Sequence, residues 1–72
     1  MNKFKFWEAM DKAGYSQRGL AKALGVDKNT VNSWVNGKTP LRISRIVDIC
    51  RLLDISDSSV IVDIFLPELS QK

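Results

Sequence analysis

The chain has 72 residues, of which 44% are hydrophobic and 26% are charged, and its net charge is +3 at pH 7. A chain this short can bury only one hydrophobic core, so its length predicts a single domain over residues 1–72 and excludes a two-domain enzyme. It contains no His and one Cys, which excludes the usual zinc ligand sets, a Cys–His pair and a Ser–His–Asp triad. We therefore expect no enzymatic activity, no metal, no cofactor and no small-molecule substrate.

The charges are distributed unevenly along the chain. Residues 1–45 hold nine basic and three acidic residues, a balance of +6, whereas residues 46–72 hold two basic and five acidic residues, a balance of −3. A basic excess of this kind favours an anionic partner for the first part of the chain. The longest apolar runs are three residues, too short for a signal-peptide core or a membrane span. We expect a soluble, non-exported protein with no membrane partner.

The first helix is predicted near the N-terminus. Its apolar stripe consists of Phe6, Met10 and Ala13, with Trp7 beside them and also assigned to the core. Asn2 can cap the start of this helix and Gly14 can end it.

Residues 17–36 predict two short helices joined by a turn. Ser16 can cap helix 2, and Gly25 can end it in the left-handed conformation. Asp27 can cap helix 3, which the pair Asn36-Gly37 closes. The apolar side of helix 2 is Leu20, Ala21 and Leu24, and that of helix 3 is Val31, Trp34 and Val35. The opposite side of helix 3 consists of Lys28, Asn29, Asn32 and Ser33.

Two further helices are predicted after this pair. Thr39 as a cap with Pro40 at the first helical position predicts the start of helix 4. Its apolar stripe is Ile43, Ile46, Val47, Cys50 and Leu53, and Cys50 is interpreted as a small buried hydrophobic residue. Residues 58–66 predict a fifth helix that Pro67 stops, although the β-branched and aromatic residues from Val60 to Phe65 also suit a strand. We prefer the helix, because the chain offers no other strand to pair with. The sequence thus predicts an all-α bundle of about five helices.

Residues 17–36 also carry the chemistry of a binding surface. Two short helices can cross closely when a small side chain lies at the crossing and the turn admits a left-handed residue, and Ala21 and Gly25 meet these needs. On helix 3, Asn can pair with both major-groove groups of adenine and Lys can donate to guanine. Gln17, at the first turn of helix 2, adds a donor to free backbone N–H groups, an arrangement that favours a phosphate.

Arg42 and Arg45 give a weaker indication of the same kind. Both are predicted in the first turns of helix 4, where the positive end of the helix dipole disfavours cations. A neighbouring phosphate would relieve this conflict. Two solvated arginines that tolerate a small unfavourable energy explain the pattern equally well.

The run QRGLAKALGVDKNTVNSWVN at residues 17–36, with Ser16 before it and NGKTP at residues 36–40 closing it, resembles the phage-repressor and Cro type of helix-turn-helix protein, the XRE family. The resemblance covers about residues 4–56 and implies a lambda-repressor-like DNA-binding domain, with helix 3 in the major groove of double-stranded operator DNA. By resemblance, the residues that face base edges are Lys28, Asn29, Asn32 and Ser33. The residues on the sugar-phosphate backbone are Gln17, Thr30, Asn36 and Lys38, to which we add Arg42 and Arg45.

Two residues depart from the family pattern. Gly19 stands where an acidic residue usually completes a capping box with the serine, and it is expected to weaken helix 2 by up to ~1 kcal/mol. Val35 stands where Glu is common, and it is expected to expose an apolar patch beside the recognition face.

The C-terminal segment, residues 58–69, predicts an association element. Apolar residues surround it almost completely, so a partner could cover the side that does not pack on helices 1 and 4. The candidate contacts are Ile61, Phe65 and Leu66. The other possibility is that the small core absorbs the whole segment.

These features support two functions. The first is a sequence-specific transcriptional regulator of a temperate-phage lysis–lysogeny switch, bound as a homodimer to palindromic DNA in the cytoplasm of the bacterial host. The second is a modulator or antirepressor that keeps the same fold but forms a hetero-complex with the cognate phage repressor.

Overall fold

The computed structural model describes residues 1–67, which form five α-helices. They are α1 (Lys3–Ala13), α2 (Gln17–Leu24), α3 (Lys28–Val35), α4 (Ile43–Leu52) and α5 (Ser58–Phe65). Within residues 1–67 there is no β-strand, so the predicted all-α bundle is confirmed and the alternative strand at Val60–Phe65 is excluded. The final residues of the predicted association element, 68 and 69, lie outside the described part of the chain.

Most of the predicted helix starts use the expected capping residues. Asn2 Oδ1 accepts a hydrogen bond from Lys5 N at 3.2 Å at the start of α1. At the start of α5, for which no cap was predicted, Asp57 Oδ1 accepts one from Ser59 N at 2.9 Å. Side-chain acceptors of this kind satisfy N–H groups that the first turn of a helix leaves without a partner.

The predicted start of α4 is wrong by three residues. Lys38 N and Thr39 N both donate to Ser33 O, at 2.9 and 3.4 Å, so residues 38 and 39 belong to the turn that ends α3 and Thr39 caps nothing. Helix α4 begins at Ile43, after Arg42 as its N-cap residue, and the Arg42 side chain makes no capping hydrogen bond. An Arg side chain has only donors, so it cannot accept from the free N–H groups of the first turn.

Each helix contributes to one core. The largest fully buried side chains are Phe6, Leu20, Val31 and Ile49, one from each of the first four helices. Helix α5 adds Phe65, whose ring meets the ring of Phe6 edge to face with 5.9 Å between centroids. Asn2 N also donates to Ile64 O at 2.7 Å. The start of the chain and α5 therefore close the bundle on one side, while α2 and α3 pack on each other.

Trp7 lies outside the core, contrary to the prediction. It follows Phe6 by one residue, so it is rotated by about 100° from the buried side of α1, and its side chain is 43% exposed. Its ring packs instead on Phe4, with 5.9 Å between centroids, and Lys3 Nζ lies 5.8 Å from both centroids. Trp34, the other tryptophan predicted to lie in the core, is buried as expected. Phe4 and Trp7 form an exposed aromatic pair on α1.

The buried side of α4 overlaps only in part with the predicted stripe: Ile46, Cys50 and Leu53 pack in or against the core, but Ile43 and Val47 do not. Ile49 is fully buried, with Cys50 and Leu53 beside it, whereas Ile43 is 78% exposed and Val47 is 42% exposed. An apolar run wider than one helix face fits more than one rotation of the helix, so the sequence pattern does not distinguish Ile43 and Val47 from the buried residues. None of the helices within residues 1–67 is long and apolar enough to cross a membrane.

Candidate nucleic-acid interface

Helices α2 and α3 form the predicted helix-turn-helix. Ala21, in the second turn of α2, is buried, and Gly25 takes the left-handed conformation with φ of 73°, a conformation that glycine adopts without steric cost. Val26 N then donates to Ala21 O at 3.0 Å, which closes the end of α2 and redirects the chain into α3. The left-handed turn residue predicted for the close crossing is confirmed at Gly25, and the small residue Ala21 is buried.

The starts of the two helices are fixed by side-chain caps. Ser16 Oγ accepts from Gly19 N at 3.0 Å, and Asp27 Oδ1 accepts from Asn29 N at 2.8 Å. Gly19 removes the acidic half of a capping box, but it leaves the serine half in place. A Cβ atom at position 19 would lie 3.1 Å from Ser16 Oγ, so a larger residue there would need a small shift of the capping hydroxyl.

The outward side of α3 is polar along its length. Lys28, Asn29 and Asn32 are exposed and Ser33 is half-buried. The opposite side consists of Val31, Trp34 and Val35, which are all buried. The expected apolar patch at Val35 is therefore wrong, because Val35 lies one helical turn beyond Val31 and shares its buried side. The core holds α3 on one side and leaves its hydrogen-bonding side free.

Hydrogen bonds connect three of the predicted contact residues. Gln17 Nε2, at the first position of α2, donates to Asn32 Oδ1 at 3.4 Å. Asn36 Nδ2 donates to Asn32 O at 3.0 Å, so the Asn36 side chain folds back along α3. The structure thus brings the start of α2 to the middle of the polar side of α3. The sequence contained both residues but no signal for the bond, since they lie fifteen positions apart.

The remaining predicted phosphate contacts fall in two places. Thr30 is half-buried in the first turn of α3, where its N–H donates to Asp27 O at 2.9 Å. Lys38 and Arg42 are exposed in the segment that connects α3 to α4. Lys38 lies just after the end of α3, and Arg42 lies just before the start of α4.

Arg45 has an intramolecular partner that the sequence did not reveal. Its Nη1 donates to Leu24 O at 3.3 Å, at the C-terminal end of α2. A cation there interacts favourably with the negative end of the α2 dipole and satisfies a terminal carbonyl. The expected dipole conflict of Arg45 is therefore relieved within the chain, and it no longer argues for a phosphate at this residue.

Comparison with known proteins identifies the family. The chain matches the sequence model HTH_3, helix-turn-helix, over residues 8–59, which is more than half of its length. The chain belongs to the XRE-type helix-turn-helix family. This family consists of DNA-binding transcription regulators of the Cro and C1 kind, and its fold is generally non-enzymatic. No curated protein and no solved structure gave a match.

This helix-turn-helix protein has a second notable surface, an apolar groove of about 430 Å³ between α4 and α5. We call it the α4–α5 groove; its apolar lining residues are Ile43, Ile46, Val47, Cys50, Ile55, Ile61 and Leu66. Two of the predicted partner contacts, Ile61 and Leu66, line this groove. The third, Phe65, does not: it is 5% exposed and packs on Phe6, so the core absorbs it.

Cys50 lies at the base of the groove and is a free, buried thiol. Burial raises the pKa of this thiol, which favours its protonated form. Its interpretation as a small hydrophobic residue is confirmed. Within residues 1–67 no cluster of Cys, Asp or Glu side chains is arranged to hold a metal ion.

Proposed function

We propose that the protein is a sequence-specific regulator that reads double-stranded operator DNA with the polar side of α3. The observation that carries this proposal is the division of α3 into a buried apolar side and an uninterrupted polar side. Lys28, Asn29 and Asn32 are exposed there, and Ser33 borders them. Because the buried side fixes the helix on the core, the polar side chains are held in a constant register for base edges.

The phosphate contacts that we propose flank this side of α3. Gln17 lies at the N-terminus of α2, where free backbone N–H groups and the helix dipole favour an anion. Thr30, Asn36, Lys38 and Arg42 complete the set. Arg45 is the weakest member, because its guanidinium group already donates to Leu24 O, although other donors of the group remain.

We further propose that a second copy of the chain covers the α4–α5 groove. Ile43, Val47 and Leu66 are 78%, 42% and 40% exposed around one concave surface. Burial of such side chains in a symmetric dimer would stabilise it by roughly 25 cal/mol for each Å² of apolar surface removed from water. Two α3 helices would then meet half-sites about 34–36 Å apart on palindromic DNA.

The resemblance to small regulators of temperate-phage switches supports a role at such a switch in the bacterial host. The alternative is a modulator that forms a hetero-complex with the cognate phage repressor. One observation favours this alternative: the exposed Phe4–Trp7 pair lies outside the groove lining, so a single homodimer contact through the groove leaves it uncovered.

The test is selection of binding sites from a pool of random DNA duplexes, followed by titration of the enriched duplex and of a scrambled duplex of the same composition. We expect tighter binding to the enriched duplex. Binding to both should weaken with salt, with a log–log slope of about −0.9 for each phosphate neutralised. Equal affinity for the two duplexes would contradict DNA reading by α3 and favour the modulator.

A further inference from the structure

We infer that a second copy of the chain docks on one exposed side of α1, so that the two α1 helices lie antiparallel. Five exposed residues form this side, which we call the α1 stripe: Lys3, Phe4, Trp7, Glu8 and Asp11. Each of them lies three or four residues from another member, so they share one side of the helix. The α1 stripe thus combines an apolar centre with charges of both signs.

The centre of the α1 stripe is an aromatic pair that the chain leaves largely uncovered. Phe4 is 71% exposed and Trp7 is 43% exposed. Their rings meet edge to face with 5.9 Å between centroids, and Lys3 Nζ lies 5.8 Å from both centroids. Because the rings already pack on each other, a partner that covers them orders few additional side-chain rotations. Covering this pair removes aromatic surface from water at a low entropic cost.

The charges of the α1 stripe are complementary to those of a second, antiparallel stripe. Lys3 lies at its N-terminal end, whereas the carboxylates of Glu8 and Asp11 lie at its C-terminal end. Within residues 1–67 these three side chains form no ion pair. In two antiparallel helices related by a twofold axis at Trp7, residue 3 of one copy lies opposite residue 11 of the other, because both are four positions from residue 7. Two equivalent pairs of Lys3 with Asp11 result.

The helix dipole of α1 favours the same arrangement. Lys3 is the first residue of α1, where the positive end of the dipole disfavours a cation, and Asp11 is in the last turn, where the negative end disfavours a carboxylate. An antiparallel copy brings its own Asp11 to the first end and its own Lys3 to the second. Both charges then lie near a favourable helix end. A partner with charges of one sign would relieve only one of the two, so the charges favour a second copy.

The size of the aromatic pair determines when this contact forms. The exposed parts of Phe4 and Trp7 amount to roughly 200–300 Å² in each copy, well below the ~800 Å² for each partner of a stable complex. Such a contact acts when the copies are already close together, as on neighbouring sites of one DNA molecule, a step that rests on the proposed function. No member of the α1 stripe lines the α4–α5 groove, so the two contacts do not compete for side chains.

The experiment is an NMR dilution series of the ¹⁵N-labelled chain without DNA, in which the indole N–H signal of Trp7 reports on the α1 stripe. Low salt is used, because salt screens exposed charges. The series extends to about 1 mM, since contacts this far below the standard interface size are weak. The buried Trp34 gives a second indole signal as internal reference. The variants are Lys3→Glu, Asp11→Lys and the double variant with both changes.

We expect the Trp7 signal of the wild type to shift with concentration while the Trp34 signal stays constant. Each single variant places like charges opposite each other at two symmetric positions, and should weaken the association by about tenfold or more. The double variant exchanges the two charges and should recover most of it. Lys22→Glu, with the same change of charge at an exposed position of α2, is the control and should behave like the wild type.

Loss of the fold cannot imitate this pattern. Lys3→Glu and Asp11→Lys each place a favourable charge at their end of the α1 dipole, so neither should lower the melting temperature. A stable single variant that no longer associates therefore reports on the contact itself.

Three results would overturn the inference. A Trp7 signal that stays constant up to the highest concentration would exclude the second copy and leave the α1 stripe to a hetero-complex. A double variant that associates as weakly as the single variants would exclude the antiparallel pairing. Equal weakening in Lys22→Glu would reduce the effect to overall charge. Because no DNA is present, none of these results bears on DNA reading by α3, and failure of DNA selection would leave the α1 contact standing.

Discussion

The polar side of α3 and the α4–α5 groove are both formed by outward-facing helix side chains, but those of α3 are polar and those of the groove are mostly apolar. In α3 every large apolar side chain turns inward and every outward side chain can form hydrogen bonds. In α4 the apolar arc is wider than the core can cover, so Ile43 and Val47 remain exposed at the edge of the groove. The polar side of α3 is stable in water and suited to a polar ligand. Covering the apolar groove with an apolar partner lowers the free energy, because it removes apolar surface from water.

The charge distribution agrees with this division. Residues 1–45, which include α2 and α3, carry the balance of +6, and residues 46–72, which include most of α4 and all of α5, carry the balance of −3. A negative balance repels a DNA backbone, so the second part of the chain is better suited to a protein contact. The modest net charge of +3 is the sum of two unlike regions.

The largest expected effect is a loss of folding stability on substitution of Phe65, the buried residue next to Leu66 of the groove. Phe65→Ala should lower the free energy of unfolding by about 3–5 kcal/mol, because it removes a buried aromatic ring from the contact with Phe6. Denaturant unfolding measures this loss. The adjacent Leu66→Ala is the control, with a much smaller loss because Leu66 is 40% exposed. A Phe65→Ala variant that unfolds like the wild type but no longer self-associates would instead make Phe65 a partner contact.

The next largest effect is expected on the polar side of α3. Asn29→Ala should reduce discrimination between the enriched duplex and its single-base variants by about 1–3 kcal/mol, because it removes a base-facing amide. Duplex titrations at constant salt measure it. The free energy of unfolding should stay within about 0.5 kcal/mol of wild type, as for most exposed substitutions. Unchanged discrimination would remove Asn29 from the set of base contacts.

A smaller effect is expected on self-association, which the proposal assigns to the α4–α5 groove and not to the polar side of α3. Val47→Asp should weaken self-association, because it places a charge on an apolar surface that the dimer would bury. Ser44→Asp, with the same charge on an exposed position of the same helix, is the control. Sedimentation over a range of protein concentrations distinguishes the two variants. If the wild type stays monomeric at the highest concentration, the homodimer is contradicted and a hetero-complex is favoured.

The smallest effect concerns pH and the start of α5. Hydrogen bonds from the Ser59 hydroxyl and N–H lower the pKa of Asp57 below its ordinary value of 3.8. A group whose pKa is lowered on folding contributes stability above its unfolded pKa and loses it as pH falls through the folded value. The stability of α5, one wall of the groove, should therefore decline below about pH 4. Unfolding curves at several pH values should show a weaker acid dependence in Asp57→Asn, and identical curves would exclude this contribution.

The sequence predicted the parts of the fold that depend on local chemistry. Caps such as Ser16 and Asp27 and the left-handed Gly25 act within a few residues, so their roles were visible without the structure. Ile43, Val47 and Trp7 were wrongly predicted to be buried, because the amount of core available to each helix depends on the whole bundle. The Gln17–Asn32 and Arg45–Leu24 hydrogen bonds connect residues from different helices, and no local pattern reports such pairs.

The division of labour between the two surfaces is tested most directly by NMR titration of the ¹⁵N-labelled chain with the enriched duplex. The account predicts the largest shifts at the backbone amides of α3 around Asn29 and Asn32 and at Gln17. Amides beside the groove, such as those of Val47 and Cys50, should change little once the chain is at a concentration where its oligomeric state is constant. Large shifts confined to the groove, with α3 unaffected, would contradict DNA recognition by α3.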